Sequence, residues 1–200
     1  MKPLIVGVGG SSGSIYAKKL LDRLHEVYSE EVDKVKVIIS KNGRFNWKFE
    51  LGNQDYLNYG FEVISSKDTT HRILRYSAAD MIIAPCSMGL LGRIAHGVND
   101  DLITELMDKT LQYRRHGIMI FRDKPLSMLH TQNILKIQQN GGLVIPATPS
   151  FYTGRESIDE LALSVIDRAL DHMGVPIDNM YRWGETEDER LVTHQSKDPI

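Results

Sequence analysis

Apolar residues gather in short unbroken runs along this chain, separated by stretches in which they recur every third or fourth position. Leu4, Ile5, Val6 and Val8 form the first run and predict a buried strand, while Ile15, Tyr16, Leu20, Leu24 and Val27 fall on one side of a following helix. Lys34 to Ile39 alternates and then turns apolar, which predicts a second strand ending at Ser40. Asn42 to Leu51 reads as a helix with Phe45 and Phe49 on one face, and Gly52 to Thr70, polar and turn-rich, as a surface excursion. Met81 to Pro85 is a short buried strand, and Cys86-Ser87 turns into a small helix around Leu90, Leu91 and Ile94. A longer helix from about Leu102 to Tyr113, a strand over Gly117 to Phe121, a helix from Leu126 to Gln139 closed by Asn140-Gly141-Gly142, and a strand over Leu143 to Pro146 follow. Ser157-Ile-Asp-Glu160 is a capping-box start to a last helix carrying Leu161, Val165, Ala169 and Met173.

Apolar strands that alternate with helices predict an α/β fold, a Rossmann-like or flavodoxin-like parallel sheet sandwiched between helices. A chain of 200 residues, 42% apolar, can bury one full core, so a single domain is expected over residues 1–184, with a polar tail over 185–200. The formal charge of −2 and the dispersed Lys and Arg residues argue against a nucleic-acid partner. Pro3 and Gly7 interrupt the only N-terminal apolar segment, which argues against a leader or membrane span and predicts a cytoplasmic protein. A lone cysteine, Cys86, cannot build a disulfide framework or a cysteine metal site, and it reads as a small buried hydrophobe. The seven histidines show no metal-ligand spacing, so no metal is expected.

The chemistry gathers at strand ends. Gly9, Gly10 and Gly13, with Ser11, Ser12 and Ser14 between and after them, join the first strand to its helix. Glycines there let backbone N–H groups approach an anion, and the helix N-terminus behind them carries roughly half a positive charge. The spacing fits neither the dinucleotide fingerprint, which wants Gly where Ser12 stands, nor a Walker loop. Ser40-Lys41, Cys86-Ser87-Met88 and Arg122-Asp123 follow the next three strands. In a parallel sheet all four groups face one crevice, which suits a phosphorylated, partly polar cofactor. Each has a plainer reading by itself: Ser40 as a helix cap, Arg122 as a surface ion pair with Asp123 or Glu156.

Taken together, Val6 to Tyr16, Ser40-Lys41, Pro85-Cys-Ser87, Arg122-Asp-Lys-Pro-Leu126, Pro149-Ser-Phe-Tyr152 and Arg182-Trp183 resemble the UbiX/Pad family of flavin prenyltransferases, over Leu4 to about Trp183. The resemblance implies a homo-oligomer, dodecameric in many members, that joins a dimethylallyl group from dimethylallyl monophosphate to reduced FMN. The prenylated FMN so formed serves UbiD-type decarboxylases. By motif position Gly10, Ser11, Ser12, Ser40, Ser87, Met88 and Arg122 look like flavin contacts, and Tyr152 and Arg168 like contacts to the donor phosphate. Glu50 matches a proton-transfer glutamate, Asp123 stands where a second glutamate is usual, and Trp183 matches a tryptophan near the prenyl group. Such roles fit the residue types: a guanidinium and a phenol stabilise a leaving phosphate, and a carboxylate that handles protons works best if burial raises its pKa toward neutrality.

The chain departs from the family on the phosphate side. Gly89-Leu90 replaces a Lys-Thr pair, Gln112 a lysine and Glu105 an arginine, and Arg72, Arg75 or Arg93 are the candidate compensating cations. Two other functions stay open: a non-catalytic FMN or prenylated-FMN carrier, and a flavin oxidoreductase of the cysteine decarboxylase kind. Against the latter, Asn42 and Arg44 stand where a catalytic histidine is expected. The aromatic and methionine content near Trp47, Phe49 and Met88 is expected at the surface, as an oligomer contact.

Overall fold

A computed structural model describes residues 3–68, 70–75, 79–151 and 157–177. Tyr152, Trp183 and the tail over 185–200 lie outside these. Six strands make one sheet: β1 (Leu4–Val8), β2 (Val35–Ile39), β3 (Glu62–Ser65), β4 (Asp80–Cys86), β5 (Gly117–Phe121) and β6 (Leu143–Pro146). Their order is β3-β2-β1-β4-β5-β6 and every pair is parallel. The central strands β1 and β4 are buried on both faces, as their unbroken apolar runs require.

Helices cover both faces. On one side α1 (Ser14–Val27) packs between α2 (Lys41–Leu51) and α6 (Ile158–His172). On the other, α3 (Met88–Ala95) lies against α4 (Leu102–Gln112) and α5 (Met128–Gln139). Each side has its own core. Leu20, Leu21 and Leu24 meet Val6, Val37, Ile166 and Leu170 in the first; Leu91, Ile103 and Met107 meet Ile5, Ile83 and Met119 in the second. The buried stripe of α1 is Ser14, Ala17, Leu20, Leu21 and Leu24, while Ile15 and Tyr16 sit at its edge.

Four expectations need correction. The stretch from Gly52 to Thr70 is not a surface excursion: it supplies β3, and Tyr56, Phe61, Ile64 and Ser66 are buried. Its four-residue strand is an edge strand with one face half-open, so its apolar alternation is too short to stand out. The second strand begins at Val35, because Val32–Lys34 is a 3-10 turn, and α5 begins at Met128, capped by Ser127. Finally, Trp47 and Met88 are not surface residues. Trp47 is fully buried, with its indole N–H donating to Asn53 and Asp55, and Met88 is packed into the second core. Phe45 and Phe49 are the exposed members, 67% and 79% accessible, with parallel rings 6.0 Å apart.

Candidate functional site

The order β3-β2-β1-β4-β5-β6 reverses direction between β1 and β4, and the helices that follow those two strands pack on opposite faces of the sheet, α1 on one and α3 on the other, which leaves a crevice at the carboxyl ends. A cleft of about 320 Å³ lies there, floored by Gly9 and Gly10 and walled by Ser40, Lys41 and Asn42 after β2, Ser66 and Lys67 after β3, Ser87 after β4, and Leu90, Arg93, Asp101 and Ile103 from α3 and α4. The glycines are required by packing. A Cβ on Gly9 would stand 2.3 Å from the Pro85 carbonyl oxygen, and one on Gly10 would stand 2.4 Å from the Asn42 Cβ.

Three wall residues begin helices. Ser40 Oγ accepts the Gly43 N–H at 2.9 Å, Ser87 Oγ accepts the Leu90 N–H at 3.2 Å, and Asp101 accepts the Thr104 N–H at 3.0 Å. The plainer reading of Ser40 as a cap therefore holds, and it places the N-termini of α2, α3 and α4 around one cavity. Aligned backbone dipoles make that cavity favourable to negative charge.

Beside the cleft runs a rim built on the glycine turn. Gly13 takes φ 107°, a left-handed value that suits glycine, and as the N-cap of α1 it has no side chain with which to cap. Glu50 does this from α2: its carboxylate accepts the Ser14 N–H at 2.6 Å and the Gly13 N–H at 3.0 Å. Burial of its inner side pushes the Glu50 pKa up, but the bonds from the Ser14 N–H, the Ser12 and Ser14 hydroxyls and the Gly13 N–H outweigh this and hold it below the usual carboxylate range. The expected rise toward neutrality is thus overturned, and Glu50 is ionised at neutral pH. It also means that the N-terminus of α1, expected to cradle a phosphate, already holds an anion.

Asn42, Asn46 and Glu50 form a polar stripe along α2 that faces this turn. Asn46 donates to the Gly10 carbonyl at 2.8 Å, and Asn42 packs on Gly10. The sequence marks Asn42 only as standing where a histidine is expected and does not mark Asn46, although their spacing of four on a helix with Trp47 in the core is a readable signal. Lys67, Ser66 and Asp101 were missed because they follow elements whose register only the fold supplies.

The remaining candidates separate. Gly10, Ser40 and Ser87 line the cleft, and the Oγ of Ser11 is buried with no hydrogen-bond partner among the described residues. Ser12 is exposed on the rim. Arg122 joins the rim: its stem lies 3.7 Å from where a Gly13 Cβ would be, and its charge offsets part of the burial that raises the Tyr16 pKa. Asp123 accepts the Met88 N–H at 3.2 Å and the Lys124 N–H at 2.9 Å, so its carboxylate ties the end of β5 to the start of α3. Met88 offers that backbone N–H, while its side chain is core. Arg168 lies apart from both cleft and rim. It stands ten residues into α6, about 15 Å along the axis, toward the end where Met173 and Gly174 meet Pro3 and Leu4. Gln112 closes α4 at that same opposite end of the sheet and donates to Asp108 at 2.7 Å, and Glu105 is paired with Lys109 at 3.2 Å. Cys86 is buried, which pushes its thiol up to about 12 and keeps it protonated.

A ligand with a phosphate fits these residues. The floor admits no Cβ, a buried hydroxyl lacks a partner, and Lys41, Lys67 and Arg93 surround a cavity at three helix N-termini.

Comparison with known proteins agrees. The sequence signature described as Flavoprotein matches residues 1–169. A flavin prenyltransferase UbiX of Thermoplasma acidophilum is 32% identical over 184 residues, covering 90% of this chain and 99% of its own. Among solved structures, AnUbiX (PadA1) in complex with FMN and dimethylallyl pyrophosphate superposes with a TM-score of 0.84 at 28% identity, over 93% of this chain and 99% of its own. A dodecameric FMN-dependent UbiX-like decarboxylase from Escherichia coli O157:H7 superposes at 0.82 and 28% identity, over 92% and 99%. On the match over residues 1–169 and on these near full-length similarities, the chain belongs to the Flavoprotein family and, within it, to the UbiX-type flavin prenyltransferases.

Proposed function

We propose that this protein is a flavin prenyltransferase that joins the dimethylallyl group of dimethylallyl monophosphate to reduced FMN, releasing inorganic phosphate, and that the prenylated FMN is handed to a UbiD-type decarboxylase. The observation that carries the reading is the junction of a Cβ-free, three-helix cleft with a rim holding one ionised carboxylate and one guanidinium, Glu50 and Arg122. Gly9, Gly10, Ser11, Ser40 and Ser87 are the residues suited to hold the flavin. When bound, reduced FMN supplies the nucleophilic ring centres N5 and C6.

The rim residues have distinct tasks. Arg122 stabilises the negative charge that grows on the donor phosphate as the carbon–oxygen bond breaks. Because Glu50 is ionised, it enters the reaction as a base and receives a proton on a carboxylate oxygen; the N–H bonds from Gly13 and Ser14 keep it oriented while weakening its basicity. Ser12, whose hydroxyl bonds Glu50, links that carboxylate to solvent. Tyr152 and Trp183 complete the donor side in this reading. Arg168 cannot serve the cleft of its own chain from the far end of α6, so it acts on the site of a neighbouring copy, which agrees with a homo-oligomer and with the uncovered Phe45 and Phe49.

The test is anaerobic incubation with reduced FMN and dimethylallyl monophosphate, followed by mass spectrometry of the released flavin. A prenyl mass increment is expected. FMN bound but unchanged would establish a carrier in its place.

A further inference from the structure

One cation on the cleft wall is held in a way that the tasks above do not explain. Arg93, in the second turn of α3, lines the cleft alongside Lys41 and Lys67. Its side chain is about one-third exposed, at 34%, and it is anchored from behind: Nη1 donates to Asp100 and to Asp101, the latter at 3.4 Å. Asp101 is itself buried and fixed, as the cap that receives the Thr104 N–H. Among the described residues only Nη1 of Arg93 is engaged, which leaves Nε and Nη2 of the same rigid plane. Two carboxylates therefore orient the guanidinium and leave its other edge for a ligand.

The charges around it say which ligand. Among the described residues Asp101 is the one carboxylate of the lining, and it is compensated by Arg93 and by the N-terminus of α4. Lys41 and Lys67 remain as surplus positive charge, with the Ser40 and Ser87 caps turning two more helix N-termini toward the same space. A planar guanidinium offering two parallel donors matches a phosphate monoester, which an ammonium meets only as a point charge.

We infer that Arg93 is the phosphate anchor of the cleft. This rests on the proposed reaction, in which two molecules carry a phosphate monoester. Glu50 and Arg122, the groups that meet the reacting atoms, belong to the rim over α1, whereas Arg93 belongs to the wall made by α3 and α4. The donor phosphate leaves at the reacting end, and the flavin phosphate is the one remote from the reacting ring. Arg93 therefore holds the flavin 5′-phosphate and sets the preference of the site for FMN over riboflavin.

The experiment is titration of the full-length protein with FMN and with riboflavin, for the unaltered chain, Arg93→Gln and Arg93→Lys. Arg93→Gln should weaken FMN by roughly 10- to 100-fold and leave riboflavin unchanged, with Arg93→Lys in between, because it keeps the charge and loses the fork. At saturating FMN, the KM for dimethylallyl monophosphate should not move. Equal weakening of both flavins would make Arg93 structural and overturn the inference. An unshifted FMN affinity would do the same, and a changed donor KM in its place would reassign Arg93 to the donor phosphate. Should Arg93→Gln fail to fold, the FMN-to-riboflavin ratio in Arg93→Lys decides alone: a lowered ratio supports the inference and an unchanged one overturns it. A protein that binds neither flavin removes the prenyltransferase reading as well, whereas one that prefers FMN regardless of residue 93 removes only this inference.

Discussion

The two ends of the sheet are built from the same residue types and do opposite things with them. At the amino ends, charge meets charge: buried Asp80 accepts the His116 N–H at 3.1 Å, with Arg115 Nε at 3.2 Å and the His116 ring at 3.6 Å. Helix C-termini arrive at that end and carry basic residues in their last turns, His25 on α1, Lys109 on α4, Lys136 on α5 and His172 on α6. At the carboxyl ends, by contrast, helices begin. Ser40, Ser87 and Asp101 cap three of them, Ser11 keeps an unpartnered hydroxyl, and Lys41 and Lys67 line the cavity. The difference follows from connectivity. In a parallel sheet each crossover begins where a strand ends, so the positive dipole ends of α1, α2, α3, α5 and α6 collect on one side, and α4, which follows α3, begins there too, with the Leu102 N–H donating to the Ser66 carbonyl at 2.8 Å. What the sequence adds is a difference in side chains: at the functional end small residues leave donors available, and at the other end Arg115 and His116 gather on the buried Asp80 carboxylate.

If the carboxyl end is the working end, the largest effect should come from its one ionised rim carboxylate. Glu50→Gln should reduce prenylation by about 10²–10⁴-fold, the range usual for a positioned proton-transfer group, while FMN binding persists. Single-turnover mass spectrometry checks the rate, and flavin absorbance checks the binding. Undiminished turnover would move the reacting end elsewhere. Next, Gly9→Ala puts a Cβ 2.3 Å from the Pro85 carbonyl, where backbone must give way, so β1 and β4 separate at the switch point. A loss of about 1–3 kcal/mol, read as a lower thermal midpoint, should accompany lower FMN occupancy. Asp80→Asn is the control from the other end. It should cost about 1–2 kcal/mol, by leaving Arg115 and His116 without their carboxylate, and leave FMN affinity where it was. If instead Asp80→Asn changed flavin affinity as much as Gly9→Ala, the division of labour between the two ends would be wrong.

How much of this was legible in the chain depends on the range of the signal. β1 and β4 announce themselves, because strands buried on both faces are unbroken apolar runs, and the cap of α6 is written out as Ser157 with Glu160. β3 was lost because a four-residue edge strand buries little and its flanks are polar. Gly9, Gly10, Ser40 and Ser87 were recognisable as strand-end residues, and three of the four helices that begin near the site do so with readable caps. The direction of the Glu50 shift was not legible. It depends on Ser14 and Gly13, 36 and 37 residues away, offering N–H groups because Gly13 cannot cap its own helix. Nor could the sequence say that Arg168 and Gln112 sit at the far end of the sheet, since that needs the path of α6 and α4 across it. The pairing of Arg93 with Asp100 and Asp101 turns on the loop between α3 and α4, whose course no local pattern encodes.

The smallest expected effect tests the Glu50 assignment without any assay of turnover. Its folded pKa lies below the ordinary value of 4.5, so the folded state binds fewer protons at this group than the unfolded state does. Stability from the Gly13 and Ser14 bonds is therefore complete above about pH 4.5 and is lost as the pH falls through the lower folded value. Asp22 and Glu62 are also held low, by Tyr59 and Lys18 against the pull of burial for the first and by Lys36 for the second, so the acid limb of the native protein alone cannot be assigned. The difference between the native protein and Glu50→Gln can. Since Glu50 keeps an exposed side, the difference should be under about 1 kcal/mol, constant near neutrality and shrinking below the ordinary carboxylate pKa. Urea midpoints measured across that range give it directly. A difference that stays the same at every pH would mean that residue 50 contributes as a neutral hydrogen-bond acceptor, and the rim would then lack the charge on which its contrast with the amino end depends.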